Sequence, residues 1–106
     1  MATSKDFNIY VLERLDAYNV SSRPMMGEYV VYCDGKVVGG IYDNRLLVKP
    51  TAYALNVMPD AERIIPYEGS KELLLVDNVD DKEFVGELLK GIAADLPMPK
   101  PKKKKQ

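Results

Sequence analysis

Cys33 is the chain's one cysteine, and it stands directly before Asp34-Gly35 and close to Lys36. An exposed thiol beside a lysine is drawn toward thiolate and becomes a redox or nucleophilic handle. A cysteine inside a strand more often packs as a small hydrophobe, and that is the expectation here. The chain holds no histidine. It therefore lacks the commonest general base and metal ligand, and a lone cysteine builds neither a structural zinc site nor a Cys-His nucleophile. No Gly-rich phosphate loop of the GxxxxGK(S/T) or GxGxxG type occurs. Asp77 with Asp80 and Asp81 has the charge to hold a hard cation, but carboxylates just before a helical stripe serve first as helix caps. These residues assemble no catalytic centre, metal site or cofactor site, so the expected protein is not an enzyme.

Recognition chemistry is better supplied. Tyr29, Tyr32, Tyr42, Tyr53 and Tyr67 have the faces that stack nucleic-acid bases on sheet platforms. Of these only Tyr29 and Tyr42 are expected to share a face with the cations Lys36, Arg45 and Lys49. Lys100, Lys102, Lys103, Lys104 and Lys105 form a basic tail that attracts nucleic acid or anionic membrane in a salt-sensitive way. These five are among 15 basic residues, and all 16 acidic residues precede them. The body is thus net −6 and the tail +5, and an acidic body argues against a broad phosphate-binding surface.

The element that must position these groups is EYVVYCDGKVVGGIYDNRLLVK, residues 28–49. It predicts three antiparallel strands. Asp34-Gly35 suits a type I′ turn, which needs positive φ at both central residues, and Asp43-Asn44 is a weaker instance. Two-residue turns set Cys33 opposite Lys36, Tyr32 opposite Val37, Val31 opposite Val38 and Tyr29 opposite Gly40. In the second hairpin Tyr42 meets Arg45, Ile41 meets Leu46, Gly40 meets Leu47 and Gly39 meets Val48. Cross-strand partners share a face. One face then carries Val30, Tyr32, Val37, Gly39, Ile41, Leu46 and Val48, and should lie under helices. The other carries Tyr29, Val31, Cys33, Val38, Gly40, Tyr42 and Leu47, with Lys36, Arg45 and Lys49. Gly39-Gly40 is expected to admit a packed helix or Tyr29.

With 106 residues, 46% apolar and 29% charged, the chain supports one domain, residues 1–97, around one core. The polar start and the lack of a long apolar run indicate a cytoplasmic protein with no membrane span. Residues 3–18 predict a helix with a Thr3/Asp6 capping box and an apolar stripe of Phe7, Val11, Leu15 and Tyr18. Asn19 stops it. Residues 20–26 read as an extended segment that Pro24 confines to a sheet edge, and Gly27 turns it into the meander. Thr51 caps a short helix reaching Met58, residues 60–70 are irregular, and residues 73–77 form another strand. Asp80 and Glu83 open a last helix whose stripe is Phe84, Val85, Leu88, Leu89, Ile92 and Leu96. Gly86 and Gly91 within it mark close packing. Residues 98–106 bury nothing and are expected to be a disordered Lys-rich tail. The result is a two-layer α+β domain with an antiparallel sheet of about five strands and helices on one face.

Three stretches, SSRPMMGEYVVYCDGKVVGGIYDNRLLVKPT, PYEGSKELLLVDN and DDKEFVGELLKGIAADLP, together resemble the amino-terminal domain of TfoX/Sxy proteins, the bacterial competence regulators. Where that family has MFGGxG, this chain reads Met25-Met26-Gly27-Glu28-Tyr29-Val30 and keeps one glycine. Full-length competence regulators carry a further helical domain, in whose place this chain has lysines. The resemblance implies a secretion-chaperone-like α+β fold that handles protein partners and often pairs, and it implies no catalytic residues. Together these observations predict a non-enzymatic interaction or regulatory module, homodimeric through the mixed sheet face. Tyr29, Val31, Val38 and Leu47 would form its apolar centre, with Lys36, Arg45 and Lys49 at the rim. The alternative is a DNA-linked regulator that uses the same cations and the lysine tail.

Overall fold

The computed structural model describes residues 3–97; the lysine tail lies outside them. Helix α1, Lys5–Arg14, is followed by a single 3-10 turn at Asp16–Tyr18 and strand β1, Val20–Met25. Strands β2, Glu28–Cys33, β3, Lys36–Tyr42, and β4, Arg45–Val48, form the meander. Helix α2, Ala52–Val57, leads to β5, Arg63–Ile64, and β6, Leu73–Leu75, and helix α3, Lys82–Asp95, closes the domain. The sheet has six strands in the order β1-β2-β3-β4-β6-β5, and every neighbouring pair is antiparallel. It is a two-layer α+β fold. The strand missed in the sequence is β5, two residues long in a stretch read as irregular, where Arg63 and Ile64 pair with Leu74 and Leu73.

Local chemistry accounts for the element ends. Asp34 (φ 55) with Gly35 (φ 80) and Asp43 (φ 56) with Asn44 (φ 57) make the two positive-φ turns of the meander. Asn19 takes the left-handed conformation, φ 57, and ends the 3-10 turn. Pro24 sits on β1, an edge strand, where its missing donor costs no ladder bond. Thr51 caps α2 as expected, while the caps of α1 and α3 fall one residue later. Ser4, not Thr3, caps α1 by accepting from the Phe7 N–H, and Asp81, not Asp80, caps α3 by accepting from the Phe84 N–H. Thr3 is instead buried and ties the chain's start to the sheet: its hydroxyl donates to Glu28 Oε1 at 2.6 Å and accepts from the Asn44 N–H at 3.1 Å.

The core lies between the helices and one face of the sheet. Val11 and Leu15 from the first helical segment, Ala54 from α2, and Val85, Leu88, Leu89 and Ile92 from α3 pack with Val31, Cys33, Val38, Ile41, Leu46, Val48 and Leu74. The two glycines of α3 accept aromatic rings: a Cβ at Gly86 would overlap the Tyr18 ring, and one at Gly91 the Tyr53 ring. Each glycine gives up roughly 1 kcal/mol of helix propensity relative to alanine and gains the ring's close approach.

A bulge reverses half of the expected face assignment. Next to the first turn, Cys33 pairs with Lys36 and Tyr32 with Val37 as predicted, but Val31 pairs with Gly39 and Tyr29 with Ile41, with the register shifting between Val31 and Tyr32. One extra residue on β3 flips every later side chain relative to a regular hairpin. The second hairpin keeps the predicted register throughout. Ile41, Leu46 and Val48 therefore face the helices as expected, while on β2 it is Tyr29, Val31 and Cys33 that do so, leaving Val30, Tyr32 and Val37 outside the core cluster.

Candidate functional site

The predicted interface residues do not share one surface. Val31 and Val38 are 0% exposed inside the core, and Tyr29 is half-buried against it. Neither valine can reach a partner, so the expected apolar centre is corrected. Leu47 does point to the side away from the helices, opposite Gly40 and Leu75, yet it too is fully buried. The connection between β5 and β6 crosses this side: Tyr67 comes within 6.1 Å of Tyr42, centroid to centroid, and Pro66, Tyr67, Ser70 and Lys71 wall a groove with Val37 and Lys49.

Lys36 is not a rim cation. It lies on the helix side with Cys33, and its ammonium donates to the carbonyls of Ala93 at 2.8 Å and Leu96 at 3.1 Å. These carbonyls lie at the C-terminal end of α3, where Ala93 also accepts from the Leu96 N–H and a cation meets the negative end of the helix dipole. Replacing Lys36 with methionine keeps the stem and removes the charge. The expected outcome is a loss of about 1–2 kcal/mol in urea unfolding, with an unchanged slope.

Cys33 is a packed thiol, donating weakly to the Tyr18 carbonyl at 3.5 Å. Burial and the adjacent Asp34 raise its pKa, which disfavours the reactive thiolate. Asp34 is held below the usual carboxylate range by hydrogen bonds from the Asn19 amide and the Lys90 ammonium, the latter at 3.0 Å. A depressed carboxylate adds stability above its unfolded pKa, and this is lost as pH falls through the folded one. Asp77, Asp80 and Asp81 form no metal-ligating group among the described residues, and Asp81 serves as a cap. The nearest atoms to a Cβ at Gly39 belong to the β4 backbone, and those to a Cβ at Gly40 belong to the Tyr42 ring and the Tyr29 carbonyl.

Two features of the open side were not found by pattern. The first is the row Val30, Tyr32 and Val37, half-buried and outside the core, flanked by exposed Ser21 and Arg23 of β1. Paired glycines inside β3 were the available signal for the bulge that exposes it. The second is a cleft of about 540 Å³ between the β1–β2 turn, the β3–β4 end and the Pro66-Tyr67 segment. Met25, Met26, Tyr42 and Tyr67 give it apolar walls, and Glu28, Asp43 and Arg45 give it charge. Met26 is 95% exposed at a turn where its φ is 51, and Tyr67 is 54% exposed. Residues more than 20 positions apart in sequence line this cleft, so no local pattern announces it.

Fold and surface together define a small α+β domain whose sheet is covered by helices on one side and by a single connecting segment on part of the other. The chain belongs to the same family as the uncharacterized 12.7 kDa protein in the trpE 5′ region of Spirochaeta aurantia, to which it is 37% identical over 107 aligned residues, 99% of this chain and 93% of that protein. No family model matches the chain, and no solved structure matches it. Among the described residues no helix is long and apolar enough to cross a membrane.

Proposed function

We propose that this protein is a non-enzymatic interaction module of the TfoX amino-terminal type, acting in the cytoplasm and self-associating through the open side of its sheet. The observation that carries this reading is the row Val30, Tyr32 and Val37. Val37 also borders the groove walled by Pro66, Tyr67, Ser70 and Lys71, and among the described residues the row takes no part in the core cluster. An apolar row on an antiparallel sheet gains most from a second copy, because an isologous contact buries the same row twice. The polar groups support a non-catalytic role. Cys33 is buried, Asp34 is bonded to Asn19 and Lys90, and Glu28 is bonded to Thr3 and the Asp43 N–H.

The DNA-linked alternative draws on the lysine tail, which lies outside the described residues. Its sheet cations no longer group, because Lys36 caps α3 on the helix side while Arg45 lines a cleft that Glu28 and Asp43 share. Sedimentation of the wild type and of Tyr32→Glu tests the self-association reading. The expected result is a dimer for the wild type and a monomer for the variant, which stays folded because Tyr32 is partly exposed and outside the core cluster. A wild-type monomer at micromolar concentration, or a variant that still dimerises, overturns it.

A further inference from the structure

Arg45 is the cation among the residues that line the cleft, with the carboxylates of Glu28 and Asp43 beside it. Among the described residues it makes no ion pair, and its Nε is enclosed without an acceptor. Glu28 is different: its Oε1 already accepts from the Thr3 hydroxyl at 2.6 Å and the Asp43 N–H at 3.0 Å. The cleft thus offers a free planar cation, a tethered carboxylate, and apolar walls that are partly mobile in type, since methionine adapts to irregular shapes. Its volume of about 540 Å³ lies in the range of small-molecule sites.

We propose that this cleft binds a small monocarboxylate carrying an apolar body of aromatic size, with the carboxylate on Arg45 and the body between Tyr67 and the Met25-Met26 turn. Guanidinium and carboxylate match as two parallel hydrogen bonds, formed here end-on with the two terminal nitrogens, because the enclosed Nε is out of a ligand's reach. Glu28 and Asp43 in the same cleft set the ligand's charge. They repel a phosphate dianion, tolerate a single negative charge directed at Arg45, and favour an ammonium elsewhere on the ligand. Tyr42 remains a neutral phenol, since burial, Tyr67 and Glu28 all raise its pKa. It therefore adds no further negative charge. The inference is independent of self-association, because the Val30–Tyr32–Val37 row does not line the cleft.

The test uses the full chain, labelled with nitrogen-15, and three probes of one shape: 3-phenylpropionate, its uncharged amide and 2-phenylethylamine. Expected are saturable amide shifts at Asp43, Arg45 and Tyr67 with 3-phenylpropionate, at about millimolar affinity for a ligand of this size. The amide should bind at least tenfold more weakly, as should 3-phenylpropionate to Arg45→Met. Tyr67→Ala removes a half-exposed wall and should weaken binding several-fold while the fold persists. No saturable shift with 3-phenylpropionate, or an amine or amide that binds as well as the acid, overturns the proposal. If Arg45→Met does not fold, the comparison of the three probes on the wild type decides the matter alone.

Discussion

Gly39→Ala is expected to cost about 3 kcal/mol, one of the largest effects of any single-methyl addition in this domain. A Cβ at Gly39 would overlap the Leu47 carbonyl oxygen and stand 2.7 Å from the Val48 Cα. Both obstacles are backbone, on a strand held by the pairs Gly39–Val48 and Gly40–Leu47 on one side and by β6 on the other. A flexible side chain swings away from a clash; a central strand does so only by giving up ladder bonds. Gly35→Ala is the internal control. Gly35 has φ 80 with open space around it, so the methyl meets no atom and only the left-handed conformation is penalised, about 1 kcal/mol. Urea unfolding of the two variants separates the causes. A Gly39→Ala midpoint equal to that of Gly35→Ala would mean that β4 yields, and that the bulge is soft.

That bulge marks where the fold stops being legible from the chain. The turns at Asp34-Gly35 and Asp43-Asn44 were readable because positive φ selects few residue types, and both formed as expected. The stripe from Phe7 to Tyr18 and the stripe of α3 were readable because a period of 3.6 shows in a single window. The register of the first hairpin was readable only as far as Tyr32–Val37. Beyond it, alternation holds equally well for either face, since Val30, Val31, Tyr32, Val37 and Val38 are apolar on both sides. With no polar residue to penalise the wrong face, the bulge at the glycines decides, and it depends on how closely β3 approaches β4. Lys36 was invisible for a related reason: its partners, the Ala93 and Leu96 carbonyls, are over 50 residues away. The cleft, too, is assembled from three separated turns.

Leu47→Glu is the second large effect, and its outcome follows from the segment that covers the open side. On alternation alone Leu47 belongs to a surface, and the substitution would give a folded monomer. In the structure Leu47 is 0% exposed, between Gly40 and Leu75 in the ladder. Tyr42, whose ring occupies the space above Gly40, stands on the same side of the sheet. A glutamate there loses the leucine's apolar burial and places a carboxylate at a fully buried position, with the nearest cations of its face, Arg45 and Lys49, two residues away on either side and lining the cleft and the groove. Either the carboxylate protonates or the 65–72 segment lifts to admit water. Expected is a loss of about 4 kcal/mol, a large part of the stability a domain of this size has. The loss should shrink as pH falls, because a buried glutamate has a raised pKa and its neutral form is the one tolerated. Tyr32→Glu, on the same side but partly exposed and outside the core cluster, should cost much less stability while altering sedimentation. A Leu47→Glu protein as stable as the wild type would show that the covering segment is not seated on the sheet. The apolar row would then extend from Val30 across to Leu75, and the dimer surface would be correspondingly larger.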